Sequence, residues 1–181
     1  GWNFTFAISK QTGAVTELTY KGKPIIVAGD NIPFGNLTFN GYRSISNDRR
    51  GNLKSTIESP KVSTSVEDYG IIINVKYNVK AGRDGQTNVP VETTYNIYKD
   101  GSIGVKSNFG NEGNKDFSRL GLIMALDPRL GNVQWLGRGP HENYPDRKTS
   151  AFMGVWNGTV NGMTEEYIKP QSMGERSDVK W

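Results

Sequence analysis

The amino-acid sequence predicts an all-β protein, an antiparallel β-sandwich, and three observations carry that prediction. Apolar and polar residues alternate with period two in several segments, as they do in a strand with one dry face. No segment keeps helical spacing over several turns, and 22 glycines with 8 prolines punctuate the chain too often for long helices. The step Asp100-Gly101 separates two β-type runs, which is a strong hairpin signal.

Taken in order, Phe4, Phe6 and Ile8 alternate with Thr5 and Ala7 ahead of the turn signal Gln11-Thr12-Gly13. Val15, Leu18 and Tyr20 belong to a second strand that stops at Lys21-Gly22-Lys23-Pro24. Residues 29–52 are the least regular and read as a long excursion between strands. The clearest strand is YGIIINVKYNVK, residues 69–80. Ile71, Ile73, Val75, Tyr77 and Val79 share one face there, and Ile72, Asn74, Lys76 and Asn78 the other. ETTYNIY and SIGVKSNF then flank Lys99-Asp100-Gly101. Further strands are expected over residues 120–126 and 133–136. The region after Gly137 reads as irregular, and irregular segments of a sandwich sit at its rims, where binding surfaces are built.

Composition bounds the partners. Hydrophobic residues are 35% and charged residues 22%, ordinary for a soluble globular protein. The 181 residues can bury a sizeable core and are expected to form a single β-sandwich domain over residues 1–181. The net charge is +4, but the cations are scattered and only Arg49-Arg50 forms a basic pair, beside Asp48. Phosphate tracking needs clustered cations, so no nucleic-acid partner is expected. There is no cysteine and one histidine, His141, so no metal or cofactor is expected in the chain. No apolar run approaches a membrane span, so no membrane partner is expected and the protein reads as soluble. Both ends look cut from something longer.

The densest motif is WLGRGPHENYPDR, residues 135–147. Glu142 and Asp146 have the spacing of one helix face, but Pro140 and Pro145 oppose a continuous helix. A neighbouring arginine, Arg138 or Arg147, would lower a carboxyl pKa, the wrong direction for a general acid. Both carboxylates therefore read as holding the loop through charge-assisted bonds to arginine and backbone N–H groups. Arg138, Pro140, Asp146 and Arg147 form the structural corner in this reading, with the side chains of Asp146 and Arg147 largely buried. His141 beside a glutamate could exchange protons with a sugar ring oxygen, or simply donate one hydrogen bond at the surface. Trp135 reads as core, whereas Tyr144 and Trp156 read as rim aromatics able to present flat faces to a sugar. No catalytic residue is assigned; the carbohydrate-binding or interface candidates are His141, Glu142, Asn143, Tyr144 and Trp156.

At Trp135-Leu136-Gly137, Gly139-Pro140, Glu142-Asn143-Tyr144 and Asp146-Arg147, the motif resembles one in the C-terminal domain of the large bacterial β-galactosidases of glycoside hydrolase family 2. Two further stretches are similar to that family and stand in the right order. One is Tyr42-Arg43-Ser44 with Asn47-Asp48-Arg49-Arg50-Gly51-Asn52. The other is Tyr167-Ile168-Lys169-Pro170-Gln171 with Gly174, Arg176 and Asp178-Val179-Lys180-Trp181. Departures fall at Ile45, Asn47 and Ser172-Met173, and the family often has another residue, such as glutamine, at the position of His141.

The resemblance implies a large two-sheet supersandwich of the galactose mutarotase kind, truncated at its C-terminus because the family domain continues beyond Trp181. It implies a bacterial parent, of cytoplasm or periplasm, that hydrolyses terminal β-D-galactosides with retention. The two catalytic glutamates would lie on a separate barrel, served by a divalent cation such as magnesium. The implied partners are the remaining domains of that parent, on whose barrel this domain packs to shape the pocket rim, and the parent's carbohydrate substrate. A truncated sandwich exposes strand edges, so a homo-oligomer, a dimer or larger, is expected. Two free-standing alternatives are a mutarotase-like sugar epimerase using His141 with a carboxylate in one cleft, and a carbohydrate-binding module with an exposed row of aromatics.

Overall fold

All the strands pair antiparallel, and the described residues contain no α-helix, only a 3₁₀ turn at Asn161–Met163. The structure is a computed structural model that describes residues 3–27, 38–43, 56–81, 87–110, 117–169 and 173–181. The all-β class read from the alternation is therefore the observed one. The chain falls into two units, Gly1–Asp127 and Pro128–Trp181.

In the first unit, β1 (Phe4–Ile8), β2 (Val15–Tyr20) and β3 (Lys23–Pro24) form one small sheet. Its first turn is built by Ser9, whose Oγ accepts the N–H groups of Gln11 and Thr12 at 3.2 Å. Gly13 sits at φ +69°, and a Cβ there would lie 2.9 Å from Cγ1 of Val75, so only glycine fits. A separate pair joins β4 (Thr38–Arg43) to β9 (Phe117–Ile123).

The second large element is a four-stranded sheet of β5 (Thr56–Glu67), β6 (Gly70–Ala81), β7 (Thr87–Tyr98) and β8 (Ile103–Phe109), in that order. The Asp-Gly signal is realised between β7 and β8. Asp100 Oδ1 accepts the Ser102 N–H and hydroxyl at 2.9 and 2.6 Å, and Gly101 takes φ +86°. Val75, Tyr77, Val79, Val89, Val91, Tyr95 and Ile97 of this sheet close on Val15 and Ile26, with Phe4, Phe6 and Leu18 packed against them. Two sheets thus share one dry layer, which is sandwich packing. Each fully buried valine contributes about 1.5–3 kcal/mol relative to exposure.

Three expectations change, and one strand was missed. The apolar face of β6 is not dry throughout: Ile71 is 43% exposed opposite Val66, which is 83% exposed. β5 escaped the sequence reading because its far half is mostly exposed and carries only Val62 and Val66 among polar residues, too sparse an apolar pattern to mark a strand. β4 lies inside the stretch read as an irregular excursion; the remainder of that stretch, including Arg49-Arg50, lies outside the described residues. Beyond Gly137 the chain is not uniformly irregular, since residues 152–159 form a strand.

In the second unit, β10 (Asn132–Gly139) pairs with β11 (Phe152–Thr159), with Trp135 opposite Trp156 and Gly139 opposite Phe152. The corner motif runs along β10 and out of its end.

Candidate functional site

The two glycines of β10 make room for neighbours. A Cβ on Gly139 would lie 2.6 Å from Cδ1 of Trp156, and one on Gly137 would lie 3.0 Å from Val179. The indole of Trp156 therefore lies on the Gly139 backbone and donates Nε1–H to the Gly137 carbonyl at 3.2 Å. Trp135 is 5% exposed and donates Nε1–H to the Arg138 carbonyl at 3.1 Å, a core role as expected. The other edge of β10 is taken by the end of the chain. The Leu136 N–H donates to the Trp181 carbonyl at 2.9 Å, and the Lys180 N–H to the Leu136 carbonyl at 2.8 Å. The Arg138 N–H reaches the Ser177 carbonyl at 3.1 Å.

The Gly139-Pro140 peptide is cis, and the chain then enters the loop His141–Arg147. At its centre Glu142 is only 5% exposed. Its carboxylate accepts the Gly174 N–H at 2.9 Å, the Tyr144 hydroxyl at 3.1 Å, the Arg147 guanidinium at 2.5 Å, and the Tyr167 hydroxyl. Burial alone would push this carboxyl up; the bonds from Tyr167, Gly174, Arg147 and Tyr144 outweigh it and hold the pKa at about 2. Glu142 is thus fully ionised at neutral pH and both its oxygens are engaged. It can serve neither as the protonated acid nor as the open nucleophile of a retaining glycosidase.

Asn143 is completely buried and works beside it. Its Oδ1 accepts the Ser177 N–H at 2.8 Å, its Nδ2 donates to the His141 carbonyl at 3.1 Å, and its own N–H donates to the Glu175 carbonyl at 2.9 Å. On the other side, Arg138 Nε donates to Asp178 at 2.6 Å while Nη1 donates to the Ala151 carbonyl at 2.9 Å. Lys148 reaches the second oxygen of Asp178 at 2.9 Å. The Arg138 guanidinium, then the Lys148 ammonium, hold the Asp178 carboxyl below its ordinary range. Together these bonds lay residues 173–181 across the corner.

Of the residues singled out from the sequence, Glu142, Asn143, Tyr144 and Arg147 are drawn together, and Arg138 joins through the 177–181 segment. The reading of Asp146 and Arg147 needs correction. Asp146 and Pro140 lie exposed, and the Arg147 side chain is 56% exposed, stacked 5.2 Å from the Tyr144 ring. The turn that pairs Tyr144 with Arg147 aims the arginine back at residue 142 and leaves Asp146 at its tip. The buried carboxylate is Glu142 alone of the two. Arg138, likewise, pairs with Asp178 rather than with either loop carboxylate. His141 is exposed and lies 3.1 Å from Ser150 Oγ, and among the described residues no carboxylate is bonded to it. Tyr144 and Trp156 do not stand as bare platforms, since one hydroxyl is tied to Glu142 and one indole lies on Gly139. Sequence reasoning missed Lys148, Tyr167, Gly174 and Ser177 as partners. Tyr167 and Gly174 were visible only as members of a second motif some thirty residues on. Among the described residues, no group of three or more His, Cys, Asp or Glu side chains could hold a metal ion, and no helix is long and apolar enough to cross a membrane.

Comparison with known proteins gives a consistent result. The family model described as beta galactosidase small chain matches residues 1–181. The β-galactosidase of Priestia megaterium is 26% identical over 193 residues, covering 100% of this chain and 18% of the relative. That of Lactobacillus delbrueckii subsp. bulgaricus has the same identity and coverage. The β-galactosidase of Vibrio cholerae is 47% identical over 62 residues, 34% of this chain and 6% of the relative. The chain spans less than a fifth of the length of these relatives.

Proposed function

The chain belongs to the beta galactosidase small-chain family, and from that premise we propose that it is a non-catalytic C-terminal β-sandwich part of a larger β-galactosidase. The parent, in this reading, hydrolyses terminal β-D-galactosides with retention, using two glutamates on a barrel outside this chain. The present chain packs on that barrel and helps shape the rim of its pocket. The observation that carries the non-catalytic part is Glu142, the one corner carboxylate buried enough to be tuned, which four donors hold ionised and occupied. Retaining hydrolysis needs one open carboxylate and one protonated partner about 5–5.5 Å apart, and Glu142, ionised with both oxygens engaged, can be neither. The packing role draws support from apolar side chains left at the surface of the second unit, among them Phe152 at 71% and Val155 at 53% exposure. Any divalent cation such as magnesium belongs, in this reading, to the rest of the parent, because no group of three or more His, Cys, Asp or Glu side chains among the described residues could hold one.

The test is turnover of a nitrophenyl β-galactoside. The 181-residue chain is expected to show none, and the full-length parent to hydrolyse it with retained anomeric configuration by NMR. Hydrolysis by the chain itself, abolished by Glu142→Gln, would overturn the assignment.

A further inference from the structure

We propose that the outer face of the β5–β8 sheet carries a second, non-catalytic binding groove for a neutral oligosaccharide. The groove has a volume of about 460 Å³ and lies on the face turned away from the core. It goes beyond the reading above, because it lies in the first unit and uses none of the corner residues.

Two backbone features open it. At one side, β5 is bulged between Glu58 and Lys61, with Ser59 at φ 51°, a conformation uncommon for a non-glycine residue. At the other, Pro90 accepts the Gly110 N–H at 2.8 Å but has no N–H to return, so the β7–β8 ladder ends there. Bulges and ladder breaks of this kind re-aim side chains, and here both act on the same face.

Between them runs one cross-strand row in register: Lys61 opposite Lys76, Lys76 opposite Glu92, and Glu92 opposite Asn108. Asn78 and Pro90 stand opposite each other in the next row, and Ser59, Tyr77, Val91 and Gly110 complete the lining. Lys76 bonds Glu92 at 3.0 Å. Like charges directly opposite each other, as at Lys61 and Lys76, weaken a sheet, so the pair is not explained by strand pairing. The lining offers ammonium donors, a carboxylate acceptor and two amides that are both donor and acceptor. That mixture matches vicinal hydroxyls, which themselves donate and accept. Charge counts against an anion: Glu92 lies in the lining, bonded to Lys76, one of its two lysines, and its carboxylate would face the anion. A protein partner is disfavoured as well, because Lys and Glu are depleted at the centres of such interfaces. Pro90 provides an apolar floor for the C–H face of a ring. With strands about 4.8 Å apart, four strands span roughly 14 Å, longer than one pyranose, so more than one sugar unit fits. Tyr77, the aromatic residue of the lining, belongs to the core and is only 8% exposed, so it offers a sugar no open platform, and the affinity expected is weak, a Kd on the order of millimolar.

The test is an ¹H–¹⁵N NMR titration of the 181-residue chain with lactose, galactotetraose, maltotetraose and sodium sulfate. Saturable shifts from at least one tetrasaccharide, confined to amides around Lys61, Lys76, Asn78, Glu92 and Asn108, are expected. They should weaken roughly tenfold or more in Glu92→Gln and Asn78→Ala, whose remaining spectra stay folded. No saturable shift with any sugar overturns the proposal, as does binding of sulfate alone or sugar-induced shifts elsewhere only. Each of these outcomes leaves the assignment of the parent's activity standing, since that rests on the nitrophenyl galactoside assay.

Discussion

Replacing Glu142 by glutamine is the sharpest perturbation of the corner. The carboxylate is 5% exposed and gathers four donors from three separate stretches of chain. Holding a carboxyl that would ordinarily titrate at 4.5 down to about 2 is worth on the order of 3 kcal/mol at neutral pH. Counting hydrogen bonds to a charged acceptor at about 1.5–3 kcal/mol each gives a larger gross figure, from which the desolvation of a buried carboxylate must be subtracted. The linkage value already contains that opposition, so it sets the expectation. For a chain of this size about 3 kcal/mol lowers the melting temperature by about 6–12 °C. Tryptophan fluorescence is a suitable probe, because Trp135, Trp156 and Trp181 all lie in the second unit. The pH dependence follows from the sign of the shift. A depressed carboxyl stabilises the fold fully above pH 4.5, and that contribution drains away as pH falls toward about 2. The gap between wild type and Glu142→Gln should therefore be wide at pH 7 and nearly closed at the acid end. Equal melting temperatures at pH 7, or a gap that does not change with pH, would refute the reasoning.

Two further substitutions bracket this result. Asp146→Ala removes an exposed carboxylate at the tip of the turn and should move stability by no more than about 0.5 kcal/mol in urea melts, whereas a loss near that of Glu142→Gln would restore Asp146 as the corner's anchor. Gly139→Ala places a methyl group 2.6 Å from Cδ1 of Trp156, and the overpacking should cost about 1–3 kcal/mol with a change in tryptophan emission; an unchanged melt would mean the indole moves aside freely.

How far the fold could be read from sequence depends on where each signal is stored. The hairpin of β7 and β8 was legible because alternation and Asp100-Gly101 are local, and each names its own geometry. β5 and β11 were not, for a shared reason. Exposed β5 residues such as Ser63 and Ser65 need no apolar partner, and β11 carries Gly154 and Gly158 where indole and methionine side chains occupy the space. A glycine placed for a neighbour's ring looks, in sequence, like a turn. The sequence reading gave both corner carboxylates charge-assisted bonds and gave Asp146 and Arg147 the buried role, whereas the bonds fall on Glu142. Asp146 adjoins Arg147 in sequence, while the turn sends that arginine to Glu142 instead. Tyr167, Gly174 and Ser177 lie too far along the chain for any spacing rule to connect them with the loop.

A chain without cysteine has still acquired something that behaves as a crosslink. The Gly174 N–H bond to Glu142 joins points 32 residues apart, and the Ser177 N–H bond to Asn143 joins points 34 apart. A disulfide closing a similar loop would restrict the unfolded chain as well as the folded one. The carboxylate clasp vanishes on unfolding and leaves the denatured ensemble its full freedom. It is indifferent to glutathione, and acid undoes it where a reductant would have no effect. The length of polypeptide it encloses is also free to vary, because each loop doubling adds only about 0.6 kcal/mol of closure entropy. Insertions between β11 and Tyr167 should for that reason be among the best tolerated in the molecule, provided that both ends of the clasp are kept.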